Sequence, residues 1–424
     1  MNLRVLIYMN PLTVDKISKK FLWEKDSGFL YTRQLIYSLP VDYHYTILVP
    51  KGFDNKFFHN KYRHIDCVEY DYSTSIHQNR YHFNRNILAK ALPYGVDIDV
   101  VLNMQPEVAA SLRVFFENQR REKPIIINYF HWIDCKASRN AGEKFISRQV
   151  EGYNAADLNL FHSDDAFKLF LESAEESKLK DSILYGTSIY NIFHPLPTTY
   201  GMKPIPLPDK KIILFNHRIN NSTGYHEVLD AAFRLDRNDF VIWLTDESNL
   251  KEYYLKEHSN VIMKTVPFES YGYLLCKSHF SVCNLKGYAT WNMAVLDSIN
   301  AGTSVLSNTT KLMARLGAIQ CTDWVLALNR LLDQEKIRPS RFIEYDFTLE
   351  KYITNEIRER VKGKEPKKYK NVVSYISGRA ITEKRDFVNE FWSFHANSNF
   401  QLIRWKLLSE GVHDDTNLRL TTYT

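Results

Sequence analysis

Three side chains in this sequence have the type and setting to handle a charged or hydroxylated ligand: Arg218, Asp297 and His131. Arg218 lies in "ILFNHRINNSTGYHEVLDAA" (213–232). There an apolar run ends at Phe215, a polar loop follows, and Gly224 leads into a helix whose apolar face includes Val228, Leu229, Ala232 and Phe233. An arginine beside a helix N-terminus suits a phosphate, because guanidinium donors and free backbone N–H groups converge on the anion. Its ordinary alternative is a solvated loop arginine.

Asp297 lies in "KGYATWNMAVLDSINAGTSVLS" (286–307), after the strand-like "HFSVC". Gly287 permits close backbone approach, Thr290 can cap the helix, and free N–H groups at its start favour an anion or sugar oxygens. Asp297 is expected on the polar side of this helix with Ser298 and Asn300, where it could accept two hydrogen bonds from a ribose diol. A solvated helix carboxylate is the alternative. His131 follows an apolar run in "INYFHWIDCKASR" (127–139), with Trp132 and Asp134 close by. It could donate to a sugar hydroxyl or a phosphate oxygen, or be a hydrogen-bonded structural histidine. In "FHSDDAFKLFL" (161–171), Ser163 with Asp164 and Asp165 reads as plain helix capping. "DID" (97–99) has acid spacing but reads as a turn.

These residues need strands and helices to hold them, and the chain supplies an alternation. "RVLIYM" (4–9), "YTILVP" (45–50), "VDIDVVLNM" (96–104), "PIIINYF" (124–130) and "ADLNLFHS" (156–163) are strand-like, with helical stretches such as "SGFLYTRQLIYSL" and "PEVAASLRVFFENQRR" between them. Such alternation implies a parallel sheet covered by helices on both faces. The Pro-rich "YNIFHPLPTTYGMKPIPLPDKK" (190–211) reads as a linker. The pattern then restarts with "KIILFNH", "DFVIWLTD", "VIMKTV", "FSVCNL" and "TSVLSN". We expect an α/β chain of two doubly wound domains, 1–195 and 209–375, with a ligand cleft between the carboxyl ends of their strands. The aromatic segment 376–424 reads as a helical tail packing towards the first domain.

Composition narrows the class. At 424 residues and 44% hydrophobic content the chain can build two cores. A formal charge of +6 allows a phosphate-rich partner without requiring one. Five scattered cysteines show neither a disulfide framework nor zinc-ligand spacing, so no metal is expected. No leader-like N-terminus and no apolar run of membrane-spanning length is present, which points to a cytoplasmic protein with no membrane partner. GxGxxG, Walker A and GxSxG motifs are all missing. "NKFFHNKYRH" (55–64) and "HQNRYHFNRN" (77–86) look like exposed basic-aromatic loops that could grip phosphates and stack on a displaced base.

In their order along the chain these stretches resemble retaining glycosyltransferases of the two-Rossmann GT-B architecture, in the large family that includes sucrose and glycogen synthases. That family has an Arg, then a Lys before a Gly, after the first strand of its second domain. Arg218 and Gly224 match, and Thr223 stands at the Lys position. The family's Glu-x7-Glu motif, ending in a Gly-x-Pro-Val segment, is similar in shape to "ATWNMAVLDSINAGTSV". Here Ala289 replaces the first Glu, Asp297 the second, and Ser304 the Pro. "NHR" with "YFHW" resembles glycosyltransferases that mannosylate queuosine in tRNA. "ADLNLFHSDDAF" resembles bacteriophage alpha-glucosyltransferases that modify hydroxymethylated cytosine in DNA.

The resemblance implies a nucleotide-sugar donor, a UDP-sugar on family grounds, with no tightly bound cofactor and no metal. It implies that Asp297 binds the ribose, that Arg218 holds the diphosphate, that Thr223 and Gly224 line the same loop, and that backbone around Tyr288, Ala289 and Thr290 contacts the phosphate or sugar. His131 would sit beside the transferred sugar, and Lys286 is the cation that could replace the missing Lys. The acceptor it implies is a hydroxyl on a modified base in nucleic acid, DNA before RNA. A saccharide or cell-surface acceptor, and a non-catalytic nucleic-acid-binding protein on the same fold, are the alternatives.

Overall fold

The computed structural model describes residues 3–13, 20–23, 26–58, 63–72, 79–92, 97–119, 123–136, 145–184, 189–192, 201–219, 223–246, 259–286, 290–336 and 339. The chain divides into two units between His194 and Pro195. The expected helical tail (376–424) and the segment 341–375 lie outside the described residues.

The first unit is built on a seven-stranded, all-parallel sheet. Its strands are β1 (Arg4–Tyr8), β2 (His44–Pro50), β3 (His64–Tyr70), β4 (Val100–Asn103), β5 (Ile125–Phe130), β6 (Leu158–Phe161) and β7 (Ile189–Ile192), in the order β3-β2-β1-β4-β5-β6-β7. The second unit holds six parallel strands: β8 (Lys211–Phe215), β9 (Phe240–Leu244), β10 (Val261–Met263), β11 (Phe280–Cys283), β12 (Val305–Asn308) and β13 (Ile319–Cys321), in the order β10-β9-β8-β11-β12-β13. Both orders reverse direction next to the first strand, as in a doubly wound dinucleotide-binding fold. The reversal leaves a crevice at the carboxyl ends of the strands on either side of it. In the first unit that point lies between β1 and β4, and in the second between β8 and β11.

The central strands are apolar runs because helices cover both faces, so every position is buried. All six residues of β5 are buried, as are all five of β9. One polar exception repeats at matched register. Asn103, Asn128 and Asn159 are opposite one another on β4, β5 and β6, and all three are fully buried. Asn103 donates to Asn128 (2.8 Å), Asn128 donates to Asn159 (3.0 Å) and to the Gly152 carbonyl (2.9 Å), and Asn159 donates to the Tyr153 carbonyl (2.9 Å). This ladder ties the sheet to the helix Ile146–Ala155, all ten residues of which are buried. Gly152 is required there, since a Cβ would meet the Pro106 carbonyl oxygen at 1.9 Å.

Four strands differ from the expectation, and one of them, β3 (His64–Tyr70), has no counterpart in it. "VDIDVVLNM" is strand only over Val100–Asn103, and the Asp99 side chain before it accepts the Arg4 backbone N–H at 2.7 Å. The start of the expected linker, from Tyr190 to Ile192, instead belongs to β7, paired with β6. The three-residue β13 was not anticipated at all.

Candidate functional site

In the second unit the chain leaves β8 at Phe215, at the carboxyl edge beside the switch point. Asn216 is spent on the scaffold. Its Nδ2 lies 2.9 Å from the Tyr271 hydroxyl, 3.1 Å from the Ala294 carbonyl and 3.1 Å from the Ser298 hydroxyl. Ile219 is buried, and its N–H donates to Asp246 at 2.9 Å. Between these anchors Arg218 is exposed, and its guanidinium has no partner among the described residues. The Thr223 hydroxyl donates to the Arg218 carbonyl at 2.7 Å, closing the loop. Thr223 therefore shapes the loop from within, where the resemblance placed a Lys reaching outward.

Gly224 follows in the left-handed region, φ 55° and ψ 31°, as the N-cap of the helix Tyr225–Phe233. A Cβ there would lie 2.5 Å from both the Asn284 amide and the Asn284 carbonyl oxygen, so the position admits glycine only. Among the described residues no side chain caps this helix, and the positive end of its dipole lies at the edge where Arg218 stands. Asn284 follows β11 across the switch point and donates to the Gly224 carbonyl at 3.1 Å. Glu227, in the first turn, accepts from both Asn284 and Lys286. Lys286, the candidate replacement cation, is thus paired with a carboxylate, and both partners are about half exposed.

The helix Met293–Asn300 departs from expectation in two ways. Its cap is Asn292, which accepts the Val295 N–H at 3.0 Å, so Thr290 precedes the helix without capping it. Asp297 and Ser298 are not on a solvated face: Asp297 is 5% exposed and Ser298 fully buried. The helix is short and packs between β11, β12 and the helix Phe268–Lys277, so its polar residues turn inwards. Burial, and then the Asp297 charge, raise the Tyr271 phenol well above its usual pKa. Asp297, Tyr271, Ser298 and Asn216 therefore form one buried polar group under the carboxyl edge. Gly287, Tyr288 and Ala289 lie outside the described residues.

His131 belongs to the first unit, immediately after β5. Its Nε2 lies 2.8 Å from the Ser27 hydroxyl. Ser27 opens the helix Ser27–Ser38, and the cap residue Asp26 accepts four backbone N–H groups: Leu12 and Thr13 at 2.8 Å, Gly28 at 2.9 Å and Phe29 at 3.3 Å. The imidazole tilts against Tyr31 and Tyr129, whose rings stack at 4.3 Å. Burial lowers the His131 pKa below its usual value, the Asp26 charge opposes that and Arg80 adds to it. The residue is neutral at pH 7. From sequence, Asp26 was visible only as an ordinary cap signal and Ser27 carried none.

The loop after His131 is held by a buried chain. Gln149 donates to the Trp132 carbonyl (2.9 Å) and to Glu107 (2.9 Å), and accepts the Asp134 N–H (2.9 Å). Gln105 also donates to Glu107 at 2.9 Å, and burial raises the Glu107 pKa. Ser163 caps the helix Asp164–Glu176 as expected, accepting the Ala166 N–H at 3.1 Å.

The two segments read as exposed basic-aromatic loops are not free. Phe58 is 1% exposed and lies in the core with Phe29 and Phe53, and Phe57 packs against it. Phe83 is buried beside Tyr8. Arg80 stacks on Trp132 at 3.9 Å, and the Arg80 carbonyl accepts from Gln105. Each ring satisfies its own hydrophobic requirement inside the unit, so these rings are not available to stack on a base. Residues 59–62 and 77–78 lie outside the described residues.

No protein-family model and no curated protein matches the chain. Solved structures do. HepE from Anabaena, in complex with UDP and glucose, superposes with a TM-score of 0.57 at 10% identity, over 86% of this chain and 100% of HepE. The trehalose-6-phosphate protein of E. coli, bound with UDP-2-fluoro glucose, gives 0.54 at 11% identity, over 83% and 95%. Sucrose-phosphate synthase from Thermosynechococcus elongatus gives 0.52 at 12% identity, over 86% and 94%. These neighbours are GT-B proteins, and the fold of this chain is GT-B.

Proposed function

We propose that this chain transfers a sugar from a nucleotide-sugar donor, a UDP-sugar, to an acceptor hydroxyl. The observation that carries the reading is Arg218, an exposed guanidinium with no partner among the described residues, beside the start of the helix Tyr225–Phe233. Preorganised donors of this kind stabilise the charge that develops on a leaving diphosphate. HepE and the E. coli neighbour are both described with uridine nucleotides or a sugar analogue bound, which supports the choice of donor.

In this reading the buried Asp297 anchors the ribose hydroxyls, and backbone around Tyr288–Thr290 meets the phosphate or sugar. His131, neutral and held by Ser27, donates a hydrogen bond to a hydroxyl of the transferred sugar. Transfer proceeds with retention. The acceptor oxygen bonds to the anomeric carbon on the face from which the diphosphate leaves, and the acceptor proton passes to the departing phosphate oxygen. Neither a protein nucleophile nor a metal is invoked.

For the acceptor, the reading is a hydroxymethylpyrimidine in DNA, taken from the resemblance of "ADLNLFHSDDAF" to phage alpha-glucosyltransferases; the +6 charge allows it without requiring it. Phe57, Phe58 and Phe83 of the basic-aromatic segments add nothing to it, since they pack within the first unit. Incubating hydroxymethylpyrimidine DNA with a panel of sugar nucleotides, followed by mass spectrometry, separates this acceptor from a saccharide. Release of UDP from UDP-sugars tests the activity itself. Loss of that release in Arg218→Ala, with the fold intact by circular dichroism, is the expected result, and wild-type turnover in that variant would sink the assignment.

A further inference from the structure

His217, between Asn216 and Arg218, is unused by everything above. Asn216 turns its side chain towards Tyr271 and the helix Met293–Asn300. The next residue leans the other way: the His217 ring meets the Phe215 ring at 5.6 Å in a T-shaped contact. Its Nε2 is shielded from solvent and has no hydrogen-bond partner among the described residues. The residue as a whole is only half-buried, so the ring stands at the rim of the carboxyl edge and not within the core.

A buried polar atom left unpaired costs about 1–3 kcal/mol, and few persist in a native fold without a reason. The backbone cannot swing to relieve this one. Asn216 fixes it on one side, and the Ile219–Asp246 and Thr223–Arg218 hydrogen bonds fix it on the other. The unpaired nitrogen is therefore built in, one residue from the exposed guanidinium and beside the β8–β11 switch point.

We infer that His217 is a ligand contact for the donor's diphosphate, its Nε2–H donating to a phosphate oxygen alongside Arg218. The inference rests on the nucleotide-sugar reading and adds a residue to it. Burial pushes the imidazole pKa down to about 4, so at pH 7 the ring is neutral and can donate one hydrogen bond without adding charge. It would complete a phosphate's coordination where Arg218 already supplies the charge.

The test is calorimetric binding of UDP and of uridine to the full chain, wild type, His217→Phe and His217→Gln, with the ligand-free Tm of each. Phe keeps a ring and removes the nitrogen, whereas Gln places an amide nitrogen near the Nε2 position. His217→Phe should bind UDP about tenfold more weakly, the loss of one neutral hydrogen bond. Uridine should bind within about twofold of wild type, His217→Gln should recover most of the UDP affinity, and the ligand-free Tm of His217→Phe should be equal to wild type or higher. Wild-type UDP affinity in His217→Phe overturns the inference. So does an equal loss of UDP and uridine with a lower Tm, which would mark the ring as a packing element. If the wild-type chain binds no UDP at all, the nucleotide-sugar reading falls and takes this inference with it.

Discussion

Two histidines stand just past strand ends in the two units, and their surroundings differ. His131, after β5, meets the Ser27 hydroxyl, and the loop that follows it is tied by Gln149 to Glu107. His217, after β8, has a buried nitrogen with no partner among the described residues, and the guanidinium of its neighbour Arg218 has none among them either. The first histidine has its contact made in advance, whereas the second and the guanidinium beside it have none among the described residues. A preorganised edge orients groups that must not move, whereas an edge with open donors waits for an anion to complete it. The contrast supports the proposal that places the donor diphosphate on the second unit.

The sharpest way to break that comparison is Arg218→Ala. Deleting the open cation should cost roughly 100-fold or more in kcat/KM with UDP-glucose, the scale of removing a charged donor from a developing anion. Its Tm should match wild type within a degree or two, because an exposed unpaired side chain contributes little to the fold. Steady-state UDP release with thermal melts reads both. His131→Ala is the counterpart on the preorganised edge. It should lower kcat by about tenfold while changing UDP affinity by less than about threefold. Equal losses in UDP binding from both variants would erase the division of labour.

Gly224→Ala probes the geometry that holds the second edge open. A non-glycine residue in the left-handed region costs roughly 1–2 kcal/mol, and the added Cβ would sit 2.5 Å from Asn284. We expect Tm to fall by roughly 5 °C and UDP binding to weaken with it. Asn284→Ala should remove the side-chain part of the clash while leaving the left-handed strain and the contact with the Asn284 carbonyl oxygen, so a double variant that regains some stability relative to Gly224→Ala would place that part of the damage at the side chain.

pH separates the two histidines more finely. Burial lowers the folded pKa of both, that of His217 to about 4. Below the unfolded value of about 6.5 the unfolded chain takes up a proton that the folded chain refuses. The stabilisation is fully present above that value and is lost as pH falls from about 6.5 towards 4. His217→Phe should flatten the Tm profile in that window. An unchanged slope would mean that the ring takes up its proton equally in the folded and unfolded chain, and that burial does not hold it neutral.

Some of this was legible in the residues and some was not. The alternation of apolar runs and helices, Gly224 as a helix start and Ser163 as a cap are local signals, and each appears as read. β3 escaped because as an edge strand it is half exposed and shows no continuous apolar run. The His131–Ser27 contact spans 104 residues and Lys286–Glu227 spans 59, so only the folded topology could reveal them. Asp297 misled because "DSIN" looks like a polar face, while a short helix between two strands and a second helix turns those residues inwards. The basic-aromatic segments misled for the opposite reason: their charges hid rings the core requires.

The smallest effect expected is at Lys286, and it tests whether Arg218 is the cation on which the second edge depends. Lys286 is committed to Glu227 in an ion pair whose partners are about half exposed. Such pairs contribute about 0–1 kcal/mol to stability, so Lys286→Ala should leave Tm nearly unchanged and UDP affinity within about threefold. Glu227→Gln releases the Lys286 charge while preserving an acceptor for Asn284. If Lys286 is a reserve cation, that variant should bind UDP more tightly than wild type at low salt, and the gain should vanish as ionic strength rises. A loss in Lys286→Ala as large as that in Arg218→Ala would instead mean that the ion pair opens when the donor arrives, and the contrast between a completed edge and an open one would have to be redrawn around two cations.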